Sequence, residues 1–224
     1  MGNLKAKAKT YEEREIVPAG KYKAVVVGVC DIGTQQFKNG SERQIVVIWE
    51  LHKRSKPALD SKGRIHTVSE FYSLKFGEYQ GKKAKLRQMV EAMRGRAFTA
   101  VEAEDGIDVE ELVEEACGMQ IQHVPSKKDK DKPWAEIGSI FVLDEEDEKP
   151  EIVSDTFYFE ISSPPQAAIP SEVPTWLHKI IEKSDEWVKV HGEPKDKKAK
   201  DANPLNGKAS TGGGDSDDDD DIPF

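Results

Sequence analysis

The chain has 224 residues, of which 37% are hydrophobic and 33% charged, with a formal net charge of −9. That length suits one domain with extensions or two small domains, and that polarity leaves part of the chain outside any packed core. No run of about 18 apolar residues is present, so no membrane-spanning helix is expected, and Met1–Thr10, with Lys5, Lys7 and Lys9 but no apolar stretch, does not read as a secretory signal.

Charge is unevenly placed. Residues 1–98 carry 20 Lys and Arg against 10 Asp and Glu, whereas residues 99–224 carry 13 against 32. A basic front and an acidic back point to a front that meets a polyanion and a back able to compete for the same surface. Cys30 and Cys117 stand apart, without CxxC or Cys/His spacing. They read as buried, reduced thiols, which fits a cytoplasmic protein.

Residues 1–17 read as a flexible N-terminal arm. The stretch "KYKAVVVGVCDIGTQQFKNGSERQIVVIWELHK" then reads as a long β-hairpin, with β-branched runs at Val25–Val29 and Ile45–Ile48. Asn39-Gly40 is the turn signal between them. Gly28 and Gly33 interrupt the first strand, as in a strand bent through a bulge. A loop, "KRSKPALDSKGR", leads to a third strand near Ile65–Leu74. In "KAKLRQMVEAMRG", Leu86, Met89, Val90 and Met93 share one helical face and Gly95 is the stop. A second short helix is expected in "DVEELVEEACG", where Asp108 and Glu111 have capping-box spacing and Gly118 ends it. Two strands follow, "MQIQHV" and "WAEIGSIFVL", joined by the polar hairpin "PSKKDKDKP".

The order β-β-β-α-(α)-β-β over residues 18–143 is that of an OB-fold, a mainly β, five-stranded barrel that binds oligonucleotides on the face of strands 2 and 3. An SH3-like barrel usually lacks the helix, and a mixed α+β sheet is the remaining alternative. Residues 144–190 form a C-terminal extension, with an extra strand in "DTFYFEI" and an amphipathic helix over about Pro174–Val190. Trp176, Leu177, Ile180, Ile181, Trp187 and Val188 make its apolar stripe. That stripe has three places to pack: its own barrel, which is the preferred reading, a second subunit, or a partner. From His191 to residue 224 no periodicity remains, and the segment reads as a disordered acidic tail.

Catalytic signatures are absent from the sequence: no P-loop, HExxH, GxSxG or GxGxxG occurs, and His52, His66, His123, His178 and His191 lack ligand-like spacing. A non-catalytic protein without cofactor or metal is the expectation, although spacing alone does not exclude the convergent carboxylates of a metal-dependent nuclease. The basic-aromatic pattern of the front half carries more. Lys21 and Lys23 open the first strand, and the loop after strand 2 holds Lys53, Arg54, Lys56, Lys62 and Arg64 against Asp60 alone. Trp49 ends strand 2, and Phe71 and Tyr72 lie on strand 3, with Phe76 and Tyr79 close behind. Cations tracking phosphates and aromatic faces stacking bases are what single-stranded nucleic acid requires. Phe71 and Tyr72 point to opposite faces, so only one can meet a ligand. Trp49 reads equally as core.

The chain ends "GGGDSDDDDDIPF". A solubility tail accounts for Asp217, Asp218, Asp219, Asp220 and Asp221, but not for Ile222, Pro223 and Phe224. This end resembles the C-terminal tip of bacterial single-stranded DNA-binding proteins, which finish in aspartates followed by Ile-Pro-Phe. The resemblance implies docking into replication, recombination or repair enzymes, with Phe224 in an apolar pocket and its carboxylate on a basic residue. The body, in "VPAGKYKAVVVGVCDIGTQ", "KAKLRQMVEAMRGRAFT", "GIDVEELVEEACGMQIQHV" and "PTWLHKIIEKSDEW", resembles the OB-fold single-stranded DNA-binding proteins of tailed bacteriophages. That implies a replication or recombination accessory protein in the cytoplasm of an infected bacterium, with single-stranded DNA as ligand. An adaptor or decoy, holding host partners through the tip without strong DNA binding, is the competing reading. DNA or RNA preference and homo-oligomer formation stay open at this level.

Overall fold

The computed structural model describes residues 14–125, 133–144, 146–162 and 164–194. Two long antiparallel strands organise them: β1, Gly20–Phe37, and β2, Gly40–Lys53. Phe37 pairs with Gly40, so the turn residues are Lys38 and Asn39, one position earlier than the Asn39-Gly40 signal implies. Gly40 itself opens β2 at φ +131°, a conformation open to glycine and to few other residues. The register of β1 on β2 shifts between Val26 and Gly28 and again between Asp31 and Gly33. Val27 and Ile32 are therefore the extra residues of two bulges, at the glycines that interrupt the strand.

Alternation puts side chains of β1 on both faces of the sheet, and each bulge shifts which residues face which core. Tyr22, Ala24, Val26 and Val29 face one apolar cluster, together with Ile45, Val47, Trp49 and Leu51 of β2. Val27, Cys30 and Ile32 face a second cluster, together with Val46 and Ile48 of β2. The hairpin is thus buried on both sides.

The fold is mainly β, and the sheet is antiparallel apart from one pairing. Its path runs β3-β2-β1-β7-β8, where β3 is Lys56–Pro57, β7 is Ala116–Pro125 and β8 is Pro133–Phe141. Off that path, β4 (Thr67–Ser73) pairs with β2. Two short strands, β5 (Glu78–Tyr79) and β6 (Lys82–Lys83), form a separate hairpin. Helix α1, Lys85–Arg94, lies against β4, β7 and β8. It buries Leu86, Met89, Val90 and Met93, the stripe read from the sequence, and stops at Gly95 in the left-handed region. Among the described residues β4 and β8 do not pair with each other, and α1 fills the space between them.

The expected helix over Asp108–Gly118 is replaced by other elements. A short helix α2, Ala100–Asp105, comes first, with a capping box made by Thr99 and Glu102 rather than by Asp108 and Glu111. Asp108 caps only a 3₁₀ turn, Val109–Leu112. The reason is tertiary. The Val26 N–H donates to Glu115 O at 2.9 Å and Glu114 N–H donates to Val26 O at 2.8 Å. These bonds draw residues 114–118 onto β1, and Ala116–Gly118 become the start of β7.

The C-terminal extension supplies the second core. β9, Phe157–Phe159, pairs in parallel with Gly28–Cys30 of β1, as the strand expected in "DTFYFEI". The single helix expected over Pro174–Val190 is two: α3, Thr175–Ile181, and α4, Asp185–His191. Ser184 breaks it, accepting the Trp187 N–H and donating its hydroxyl to Ile181 O. The break turns Trp187 into the same cluster as Leu177, Ile180 and Ile181. Leu177, Ile180, Ile181 and Trp187 of the stripe therefore pack on their own sheet, while Trp176 stays exposed. No helix among the described residues is long and apolar enough to cross a membrane.

Candidate nucleic-acid interface

The pairings bring the predicted cations to one end of the sheet. Lys23 pairs with His52, Lys53 with Lys56, and Thr67 of β4 with Glu50. Gly20 lies beside Ile121. Lys21 and Lys23, the β2–β3 turn with Arg54, and the loop 58–66 with Lys62 and Arg64 all surround the end of β2. Lys21, Lys53, Arg54, Lys56 and Lys62 are exposed. Lys53 stands 5.4 Å from the centre of the Tyr22 ring. Lys23 is directed elsewhere: it pairs with Asp147 at 2.8 Å and donates to Glu148 O at 3.2 Å. Arg64 donates from Nε to Asp60 at 2.6 Å.

Asp60 organises this loop. Its Oδ1 accepts the N–H groups of Lys62 at 2.9 Å and Arg64 at 2.8 Å. Burial by itself raises the Asp60 pKa, but the hydrogen bonds from Arg64 and Lys62 outweigh it and hold the carboxyl below its usual range. Gly63 takes φ +75° at the tip, and Arg54 sits at φ +60° in the β2–β3 turn. His66 N–H and Ala58 N–H tie the loop's ends to Ala58 O and Leu51 O at 2.8 Å each. A loop fixed in this way presents Lys62 with little ordering of its backbone left to do on binding.

The predicted aromatics are not there. Trp49 and Tyr72 are 0% and 1% exposed, in the first core, with their rings edge-on at 6.3 Å. Burial pushes the Tyr72 hydroxyl pKa far up, and that hydroxyl donates to Glu70 at 2.7 Å. Phe71 points to the opposite face, against the second core and edge-on to Trp176 at 6.4 Å. The extension covers the sheet face on which Phe71 lies. The expectation that Trp49 and Tyr72 stack bases is corrected accordingly, since both are core; Phe71 is half-buried against Trp176 and the second core.

Exposed aromatics occur elsewhere. Tyr79 is 76% exposed and Phe37 49% exposed. Phe37 flanks the β1–β2 turn, and Tyr79 stands on the β5–β6 hairpin. The sequence carried a signal for Tyr79, because "GEYQG" places it beside a glycine-bounded turn.

Two further features bound the chemistry. A cleft of about 770 Å³ lies beside α1 and α2, with Phe98 and Leu112 below and Glu102, Asp105, Asp108, Glu111 and Glu115 at its rim. Its sign is wrong for a polyanion. Cys30 and Cys117 are buried and free, and burial pushes Cys117 up to about 12, so its thiol is not a nucleophile. Among the described residues no cluster of His, Cys, Asp and Glu is arranged to hold a metal ion. Asp217–Asp221, Ile222, Pro223 and Phe224 lie outside the described residues. No protein-family model matches the chain, and no curated protein matches it.

Proposed function

We propose that this chain is a non-catalytic, single-stranded DNA-binding protein built on an OB-type barrel, and that residues 217–224 recruit replication, recombination or repair enzymes. The gathering of Lys21, Lys53, Arg54, Lys56 and Lys62 at one end of the sheet carries the DNA-binding half of this reading. Four of these cations lie within one loop of the sequence, and the β1–β2 register brings Lys21 to the same end. The strand order supports the barrel: three antiparallel strands, a helix, then two strands, with α1 seated between β4 and β8 as a plug. The aspartates followed by Ile222, Pro223 and Phe224 support recruitment, as a steering charge joined to an apolar anchor.

Binding to the cationic end is through phosphates and is therefore insensitive to sequence and sensitive to salt. Five phosphate contacts on a single strand give a slope of about −3.5 in log K against log salt. A titration of oligo-dT against duplex DNA over a salt series tests this. Preference for the single strand with a slope near that value is the expected result. Equal binding to duplex, or no salt dependence, refutes it.

One observation favours a second reading. With Trp49 and Tyr72 in the core and Phe71 half-buried against Trp176, the strand aromatics expected to stack are largely withdrawn. An adaptor that holds partner enzymes through the tip, with little DNA affinity of its own, accommodates that fact. The same titration separates the two, because the adaptor shows no preference for single strands.

A further inference from the structure

Tyr79 is more exposed than any other large hydrophobic residue described, yet it stands on firm support. β5 and β6 pair through Glu78 with Lys83 and Tyr79 with Lys82. The turn between them holds Gln80 at φ +51° and Gly81 at φ +75°. Below the hairpin, Ala84 N–H donates to Gly77 O at 2.9 Å and Gln88 donates to Lys83 O at 2.6 Å. Lys83 pairs with Glu91 at 2.5 Å, and Phe76 packs edge-on against Phe98 at 5.0 Å. The base of the hairpin is therefore fixed to α1 while the Tyr79 ring is left in solvent.

The segment around the ring is rich in lysine. Lys75, Lys82, Lys83 and Lys85 lie within six positions of it in sequence, with Glu78 the one acid in that stretch. Lys82 lies opposite Tyr79 across the hairpin, while Lys75, Lys83 and Lys85 are ion-paired with Glu42, Glu91 and Glu70. A rigid aromatic face with ammonium groups beside it is the arrangement on which an unpaired base stacks while its phosphates are neutralised. Placement strengthens the point. Thr67 of β4 lies opposite Glu50, at the cationic end, and Ser73 lies opposite Gln44, at the other. The β5–β6 hairpin follows that second end, about 20 Å or more from the first at the rise of a β-strand.

We propose that Tyr79 is a base-stacking platform for single-stranded DNA, forming a second contact that a strand held at the Lys53–Lys62 end reaches only when it is long enough. The inference rests on the DNA-binding reading above. Because this aromatic lies outside the covered sheet face, it also removes the objection that no platform exists.

The test uses the full chain, as wild type, Tyr79→Ala and Tyr79→Phe, titrated with oligo-dT of about 20 and about 4 nucleotides. Circular dichroism checks that each variant is folded, which is expected for so exposed a side chain. Loss of one stacked base weakens binding about 5- to 150-fold. That loss is expected for Tyr79→Ala on the longer strand only, with Tyr79→Phe at the wild-type value. If the wild type binds neither strand, the DNA-binding reading fails and this inference with it. If the wild type binds and Tyr79→Ala binds equally well, the inference alone is overturned, and the hairpin serves some other surface. If Tyr79→Phe falls as far as Tyr79→Ala, the hydroxyl and not the ring face matters, and stacking is refuted. Equal loss on both lengths refutes the second contact.

Discussion

Gly28→Ala tests how the extension is held on the sheet. Gly28 pairs with Phe157 of β9. A Cβ at position 28 would lie 2.3 Å from Phe157 Cε1, 2.6 Å from Cζ and 3.0 Å from Cδ1. Carbon atoms pack at about 3.5–4.0 Å, so the ring must retreat by more than about 1 Å. It cannot do so freely, because β9 has three residues and feeds Phe159 and Ile161 into the second core. Overpacking of this kind costs about 1–3 kcal/mol. For a domain of this size that lowers the Tm by about 2–12 °C. Urea denaturation of Gly28→Ala, Phe157→Ala and the double variant measures the coupling. The double variant should be no less stable than Phe157→Ala alone, since removing the ring removes the clash. If the two single losses simply add, Gly28 is not keeping space for Phe157, and the close approach of β1 and β9 has been misread. Affinity for oligo-dT should be unchanged in Gly28→Ala, because position 28 is remote from the Lys53–Lys62 end.

Other consequences can be measured alongside it. The Lys83 ammonium beside Glu91, with further hydrogen bonds from Phe98 N–H and Arg87, holds the Glu91 carboxyl at about 2, below its ordinary 4.5. The stabilisation is full above about 4.5 and is lost as the pH falls from there towards about 2. Glu91→Gln should therefore be less stable than wild type at neutral pH, and the gap should close on acidification in thermal melts; a constant gap refutes the linkage. Neutralising Lys53, Arg54 and Lys56 to Gln should weaken oligo-dT binding and make the salt slope shallower by about 0.7 for each phosphate left without its cation. An unchanged slope places the phosphates elsewhere. On the proposed reading, in which the acidic tip competes with phosphates for the cations, deleting residues 215–224 should tighten oligo-dT binding and abolish partner recruitment. Tail deletion that alters neither measurement refutes that mechanism.

Much of the architecture was legible in residue pattern. Alternation and β-branching located β1, β2, β4, β7 and β8, and the 3.6-residue spacing of Leu86, Met89, Val90 and Met93 located α1 and its buried face. Those signals are local, so they survive without knowledge of partners. The helix expected at Asp108–Gly118 does not form because Val26 claims that backbone, donating to Glu115 O and accepting from Glu114 N–H. The helix read across Pro174–Val190 broke because Ser184 offered a cap where Trp187 had to turn inward.

The candidate site divides in the same way. Residue pattern shows that cations concentrate in the front half and in the loop after strand 2, and register then places them around one strand end. It did not determine which aromatics meet solvent. Trp49, Phe71 and Tyr72 have the same composition signal as a stacking platform, but burial is a property of both faces of a sheet, and the outer face was closed by residues 152–187, more than 80 positions downstream of Phe71. The near-continuous apolar runs of β1 and β2 made that possible by placing apolar side chains on both sides of the sheet. Packing decided that Trp49 and Tyr72 are core while the rings of Phe37, Tyr79 and Trp176 stay exposed, because burial depends on which neighbours the fold brings over a surface.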